Sequence, residues 1–276
     1  LGRPLATMQA GRFAVLPLFN RAADSLFSQL SQLSHSLLPS SCSFCRSPLQ
    51  GSAGALCHDC VAELPRLTTH CQRCSVPLAS NSLCANCQLR PPTYRRCISA
   101  FHYAAPVDNI VLRLKNDPYT AEIKQLSAVL AERIAATYQQ AQVPCPQTII
   151  PLPLHWLKMT QRGFNQSHII SQLLADHLRR EFDTAIEIRS DICRRVVKGQ
   201  EQHLLGAKKR LSSIKNAFVA EVPTSKNLTG LSVAIVDDVV TTGATANSAA
   251  KALLRAGAAQ VDIWSIARTS WNNSPR

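Results

Sequence analysis

At 276 residues, of which 46% are hydrophobic, the chain is long enough to bury one sizeable core beside a small module. No stretch approaches the ~18 to 20 apolar residues of a membrane-spanning helix, which excludes a helical integral membrane protein. A formal net charge of +13 favours polyanionic partners, either nucleic acid or phosphorylated metabolites, with an indifferent basic surface as the alternative.

Residues 1–41 are rich in Ser and Gln and place Leu26, Phe27, Leu30, Leu33 and Leu37 at helical spacing. They read as an N-terminal extension, helical or partly disordered, without chemistry of its own. From Cys42 the text changes. Four Cys-x-x-Cys pairs follow within 46 residues: Cys42/Cys45, Cys57/Cys60, Cys71/Cys74 and Cys84/Cys87. Each pair places two thiolates on one side of a tight knuckle, and Zn²⁺ takes four such ligands tetrahedrally. Eight thiols therefore make two closed structural sites with no open catalytic position. Chain order groups Cys42, Cys45, Cys57 and Cys60 around one ion and Cys71, Cys74, Cys84 and Cys87 around the other; a cross-braced pairing is the alternative. The intervening loops are too short for a core, so metal supplies folding free energy on the order of 10 kcal/mol per ion. The chain carries eleven cysteines, but Pro17 interrupts the apolar patch near the start and no export signal follows. Both observations point to a thiol-reducing, cytoplasmic compartment rather than a disulfide scaffold.

Pro91 and Pro92 mark a linker, which divides a double zinc ribbon at 42–90 from a main domain at 91–276. Tyr94 to Tyr103 reads as a strand, Ile110 to Lys115 opens a helical region, and Ala121 to Gln140 has helical spacing through Ile123, Leu126, Leu130 and Ile134. Thr148 to Leu154 is a short buried strand punctuated by prolines. A loop with Lys158, Arg162, Gly163 and Asn165 follows, and Asn165 or Ser167 caps a helix over roughly 167–180. Arg162, on a loop at a strand's carboxyl end, is placed to meet a phosphate; an ordinary solvated arginine is the plainer reading. Over residues 194–215, Arg194, Arg195, Lys198, Lys208, Lys209, Arg210 and Lys215 face one acid, Glu201. Lys208, Lys209 and Arg210 are the candidate nucleic-acid contacts. A lid over an anionic substrate, or plain solvation, accounts for the same run.

Val233 to Thr245 (Val-Ala-Ile-Val-Asp-Asp-Val-Val-Thr-Thr-Gly-Ala-Thr) carries the sharpest signal. An apolar strand runs into Asp237 and Asp238, then into a Thr/Gly-rich turn and a helix over Ala246 to Ala256 that Gly257 stops. A second strand spans Gln260 to Ala267. Amides at a helix start attract phosphate, Thr241, Thr242 and Thr245 add hydroxyls, and Gly243 permits close approach. Adjacent carboxylates repel phosphate, so they meet ribose hydroxyls or hydrated Mg²⁺. Together these describe a site for a ribose 5-phosphate, against the plainer reading of a buried β–α turn.

This stretch resembles the phosphoribosyl-pyrophosphate (PRPP) motif of type I phosphoribosyltransferases. The resemblance implies an α/β fold with a parallel sheet. It makes Asp237 and Asp238 the catalytic pair, and Val239, Val240, Thr241, Thr242, Gly243, Ala244, Thr245 and Arg162 the PRPP- and phosphate-binding residues. Two positions depart from the pattern: purine-salvage members often carry an acid where Thr241 stands, and Ala244 is apolar. A broader resemblance covers about Cys42 to Arg268, through the Cys-x-x-Cys region, Leu112-Arg-Leu-Lys115, Ile150-Pro-Leu-Pro153, Arg162-Gly-Phe-Asn-Gln166, Gln202-His-Leu-Leu205, Asn216-Ala-Phe218 and Val236 to Gly243. By these segments the chain is similar to the ComF/GntX family. That likeness implies uptake or utilisation of DNA and a partnership with the DNA-translocation machinery, including a competence helicase and single-stranded DNA. Two readings follow. One is a DNA-processing accessory protein that retains a PRPP pocket. The other is an active Mg²⁺-dependent phosphoribosyltransferase with an amine or base acceptor.

Overall fold

The computed structural model describes residues 41–49, 54–183, 185–195, 218–220 and 228–270. The expected N-terminal helix and the nucleic-acid candidates Lys208, Lys209 and Arg210 lie outside the described residues. Two short helices, α1 (His58–Ala62) and α2 (Ala85–Leu89), each begin beside a cysteine knuckle. The chain continues through β1 (Cys97–His102), α3 (Val107–Leu114), α4 (Glu122–Ala141), β2 (Thr148–Pro151), α5 (Trp156–Arg162), α6 (Gln166–Phe182) and β3 (Glu187–Ile188). After β4 (Cys193–Arg195) and β5 (Phe218–Ala220) come β6 (Ser232–Val240), α7 (Ala244–Arg255) and β7 (Gln260–Arg268).

Five strands form one parallel sheet in the order β1-β7-β6-β2-β3, while β4 and β5 pair separately as an antiparallel ribbon. The sheet is buried on both faces, as parallel sheets are, and strand alternation sorts its side chains. Ala234 and Val236 of β6, Ile149 of β2, and Trp264 and Ile266 of β7 join a core with α3, α4 and α6. Val233 and Ile235, Ile150, and Val261 and Ile263 join the opposite core under α7. The cysteine knuckles are divided between these cores. Cys42, with Cys57 and Cys60 beside it, packs into the first; Cys71, Cys74, Cys84 and Cys87 pack into the second.

Several element boundaries differ from the sequence expectation. The cation-rich segment after β2 is not all loop: residues Trp156–Arg162 form α5, with His155 Nδ1 accepting from the Leu157 amide at 3.3 Å. Of the two candidate caps for α6, Asn165 serves, its Oδ1 accepting from the Ser167 amide at 3.0 Å while its Nδ2 donates to the Leu152 carbonyl at 3.1 Å. β6 does not end before the acids but runs through Asp237 and Asp238 to Val240. Gly257 takes φ +102° immediately after α7, the left-handed residue that ends a helix at little steric cost.

The topology fixes where a ligand can sit. From β2 the chain leaves towards β3, and from neighbouring β6 it leaves in the opposite direction, towards β7. The crevice beyond the carboxyl ends of β2 and β6 is therefore the switch point at which open α/β sheets bind ligands.

Candidate functional site

The crevice is walled by the β6–α7 turn on one side and by α5 and the start of α6 on the other. Asp238 is 6% exposed, and its Oδ2 lies 3.6 Å from Lys115 Nζ and 3.4 Å from Gln166 Nε2. Its Oδ1 accepts from the Val239 amide at 2.8 Å. Asp237 Oδ1 accepts from the Asp238 amide at 2.9 Å and from Ser167 Oγ at 3.4 Å. Burial, followed by the neighbouring Asp238 carboxylate, raises the Asp237 carboxyl well above the ordinary carboxylate range. Two acids held this close call for a cation or hydroxyl donors to share. Arg162 reaches the pair indirectly, since its Nη1 donates to Gln166 Oε1 at 3.1 Å.

The turn after β6 is open. Thr241, Thr242, Ala244 and Thr245 are exposed, and among the described residues the amides of Thr241, Thr242 and Gly243 donate to no protein acceptor. Gly243, the N-cap of α7, takes φ +77° and has no side chain to cap it, while the Ala244 amide donates to Thr242 Oγ1 at 3.3 Å. A Cβ at Gly243 would stand 3.3 Å from Tyr94 Oη, so a side chain there is both strained and crowded.

Arg268 holds this turn in shape. It is 2% exposed, donates Nε to the Cys74 carbonyl at 2.8 Å, and donates Nη1 to the carbonyls of Val240 at 2.9 Å and of Thr241. In a planar trans peptide the carbonyl of one residue and the N–H of the next point in opposite directions. Drawing the carbonyls of Val240 and Thr241 inward thus turns the amides of Thr241 and Thr242 outward. Sequence reasoning assigned no role to Arg268, because a single arginine ending an apolar strand carries no spacing signal. Lys115 stood in a quoted motif, but its proximity to Asp238 is purely tertiary.

The eight paired cysteines converge as two tetrads, Cys42/Cys45/Cys57/Cys60 and Cys71/Cys74/Cys84/Cys87, with the Sγ atoms of each within 4.8 Å of one another. Tetrahedral Zn²⁺–thiolate geometry places sulfurs about 3.8 Å apart. Cys45 and Cys57 are 3.6 Å apart and Cys74 and Cys84 3.7 Å, so both tetrads fit the ion. Burial pushes Cys42 and Cys71 up, but backbone amide donors outweigh it and bring them down to about 6 and about 7. Burial raises Cys60 and Cys74 to about 12. Four thiolates coexist in such a space only around a dication. Cys45 is exposed and Cys57 and Cys60 half-buried, whereas the whole second tetrad is buried. A chelator such as EDTA is therefore expected to release one zinc rapidly and the second at least tenfold more slowly, measured with a zinc-responsive dye. Release of both ions at one rate would contradict this.

A family model for the double zinc ribbon domain matches residues 33–88. The DNA utilization protein YhgH of Salmonella typhi is 34% identical over 233 residues, covering 84% of this chain and 98% of that protein. Competence protein F of Haemophilus influenzae is 31% identical over 229 residues, covering 82% of this chain and 96% of its own length. A purine phosphoribosyltransferase from Pyrococcus horikoshii Ot3 is similar over 52% of this chain and 73% of its own, at 17% identity and a TM-score of 0.30. Identity above 30% across nearly the whole of these relatives means that the chain belongs to the ComF family of DNA-utilization and competence proteins.

Proposed function

We propose that the switch-point crevice binds PRPP or a related ribose phosphate. Asp237 and Asp238 take the ribose hydroxyls and Mg²⁺, the stretch from Val239 to Thr245 takes the 5-phosphate, and Arg162 faces the pyrophosphate. One observation carries the reading: the outward-facing amides of Thr241, Thr242 and Gly243 stand at a helix start directly beyond an acid pair in which burial and the neighbouring carboxylate disfavour the charge of Asp237. The protein works in DNA uptake or utilisation, a role supported by the names of its relatives. Single-stranded DNA contacts Lys208, Lys209 and Arg210, and a competence helicase or other translocation component is the protein partner. The zinc ribbons at 42–90 and the sheet domain from 91 onward act as one unit in a cytoplasmic, thiol-reducing setting. No helix among the described residues is long and apolar enough to cross a membrane.

Calorimetric titration of the full chain with PRPP and Mg²⁺ tests the pocket: one site per chain is expected, and absence of binding would sink the reading. For the DNA contact, charge reversal at Lys208, Lys209 and Arg210 is expected to weaken single-stranded DNA binding and to flatten its salt dependence by about three counterions. An unchanged salt slope in fluorescence anisotropy would remove this run from the interface. The absence of an acid at Thr241 favours an amine over a purine as acceptor, should turnover occur.

A further inference from the structure

A basic cleft lies apart from the crevice, where the third cysteine knuckle meets the start of β1 and the last turns of α4. Its volume is about 630 Å³, and its walls include His70, Gln72, Arg95, Arg96, Arg133 and Thr137. Arg95 and Arg96 immediately precede β1, so the cleft sits at the amino edge of the parallel sheet. The switch-point crevice is at the carboxyl edge, and nine-residue β6 between them spans roughly 26 Å.

The charges in this cleft do not balance. Arg95 is neutralised: its Nε donates to Asp262 Oδ1 at 2.9 Å and its Nη2 to Oδ2, and the Tyr138 hydroxyl also donates to Oδ2. That carboxylate is 1% exposed and fully engaged. Arg96 has no acid; its guanidinium lies 5.4 Å from the centroid of the Tyr138 ring. Arg133 has none either: Nη1 donates to the Leu67 carbonyl, and Nη2 stands 3.2 Å from the His70 ring nitrogens. Neither Arg96 nor Arg133 forms an ion pair among the described residues, and no residue lining the cleft is acidic. Burial lowers the affinity of Arg133 for its proton. Half-buried positive charge without a counter-charge is costly unless a ligand supplies one.

We propose that this cleft is a second anion site, which binds a phosphate-bearing small molecule between Arg96 and Arg133. The Arg96 guanidinium fork presents paired donors that match two phosphate oxygens, while Arg133, whose Nη groups meet the Leu67 carbonyl and the His70 ring, adds positive charge. Gln72 Nε2 donates one N–H to the Asn81 carbonyl at 3.3 Å and keeps a second, and the cleft lies within the ~300 to 1,000 Å³ range of small-molecule sites, so it admits a ligand larger than free phosphate. The site does not depend on the PRPP reading, because it shares no residue with the crevice.

The test is a tungstate soak of crystals of the full chain, with anomalous difference maps, in parallel for wild type and Arg96→Gln. Arg96 is partly exposed and makes no ion pair, so the substitution leaves the core intact. A tungsten peak between the two guanidinium groups in wild type, lost in Arg96→Gln, is the expected result. In solution, calorimetric titration with inorganic pyrophosphate should return one site fewer for Arg96→Gln than for wild type. A cleft without a peak, a peak unchanged by the substitution, or equal pyrophosphate stoichiometry overturns the assignment.

Discussion

Replacing Cys71 and Cys84 by serine is expected to abolish the cooperative thermal transition of the full chain and, with it, PRPP binding. Zinc in such a ribbon contributes on the order of 10 kcal/mol, against a net stability of about 5–15 kcal/mol for a folded domain. The effect extends beyond the ribbon because the second tetrad shares a core with Val240, Ala246 and Ala249 of the β6–α7 unit. The Cys74 carbonyl is also an acceptor for Arg268, the residue that draws in the carbonyls of Val240 and Thr241. Losing the second ion thus removes an anchor of the turn proposed to hold phosphate. The matched change, Cys45→Ser with Cys60→Ser, strikes the more accessible tetrad on the other core and is expected to lower zinc content by one ion while PRPP binding persists. Circular dichroism melts, elemental zinc analysis and PRPP titration on both variants decide the matter. A near-wild-type melt for the Cys71/Cys84 variant would show that the ribbon does not support the sheet.

The second large effect concerns the acid pair. Asp237→Ala with Asp238→Ala is expected to reduce PRPP affinity at least a hundredfold, with zinc content and fold unchanged. Asp237→Asn separates binding from stability. The carboxyl of Asp237 is raised in the fold, so its ionised form is disfavoured there relative to the unfolded chain. The resulting loss of stability begins as pH rises past the unfolded value of about 3.9, and it is fully present above the raised folded value. Below both values it vanishes. Asp237→Asn is therefore expected to raise Tm at neutral pH and to leave it unchanged near pH 3, while weakening Mg²⁺-dependent PRPP binding. A lower Tm at neutral pH would show that Asp237 serves the fold rather than a ligand.

Much of this arrangement was legible in the sequence, and the rest was hidden for identifiable reasons. The cysteine spacing pointed to two tetrads because a knuckle brings its own pair of thiols together locally. Which core each tetrad joins depends on packing far along the chain, and no spacing encodes it. The strand–turn–helix–strand unit was readable from Val233 to Arg268, yet β6 runs through both acids because pairing with β7 continues to Val240 and Arg268. Backbone pairing outweighed the low strand preference of aspartate. α5 was read as loop because a seven-residue helix flanked by Pro153 and Gly163 is too short for periodicity to show. Lys115 and Gln166, which surround Asp238, come from α3's end and α6's start and meet it only through tertiary folding.

The most direct test of the central claim is a crystal structure of the full chain with PRPP and Mg²⁺ bound. The expected result is the 5-phosphate on the amides of Thr241 to Gly243, with the ribose hydroxyls and the metal at Asp237 and Asp238. Ligand-free density in an accessible crevice at saturating PRPP, or PRPP bound elsewhere on the molecule, would contradict it.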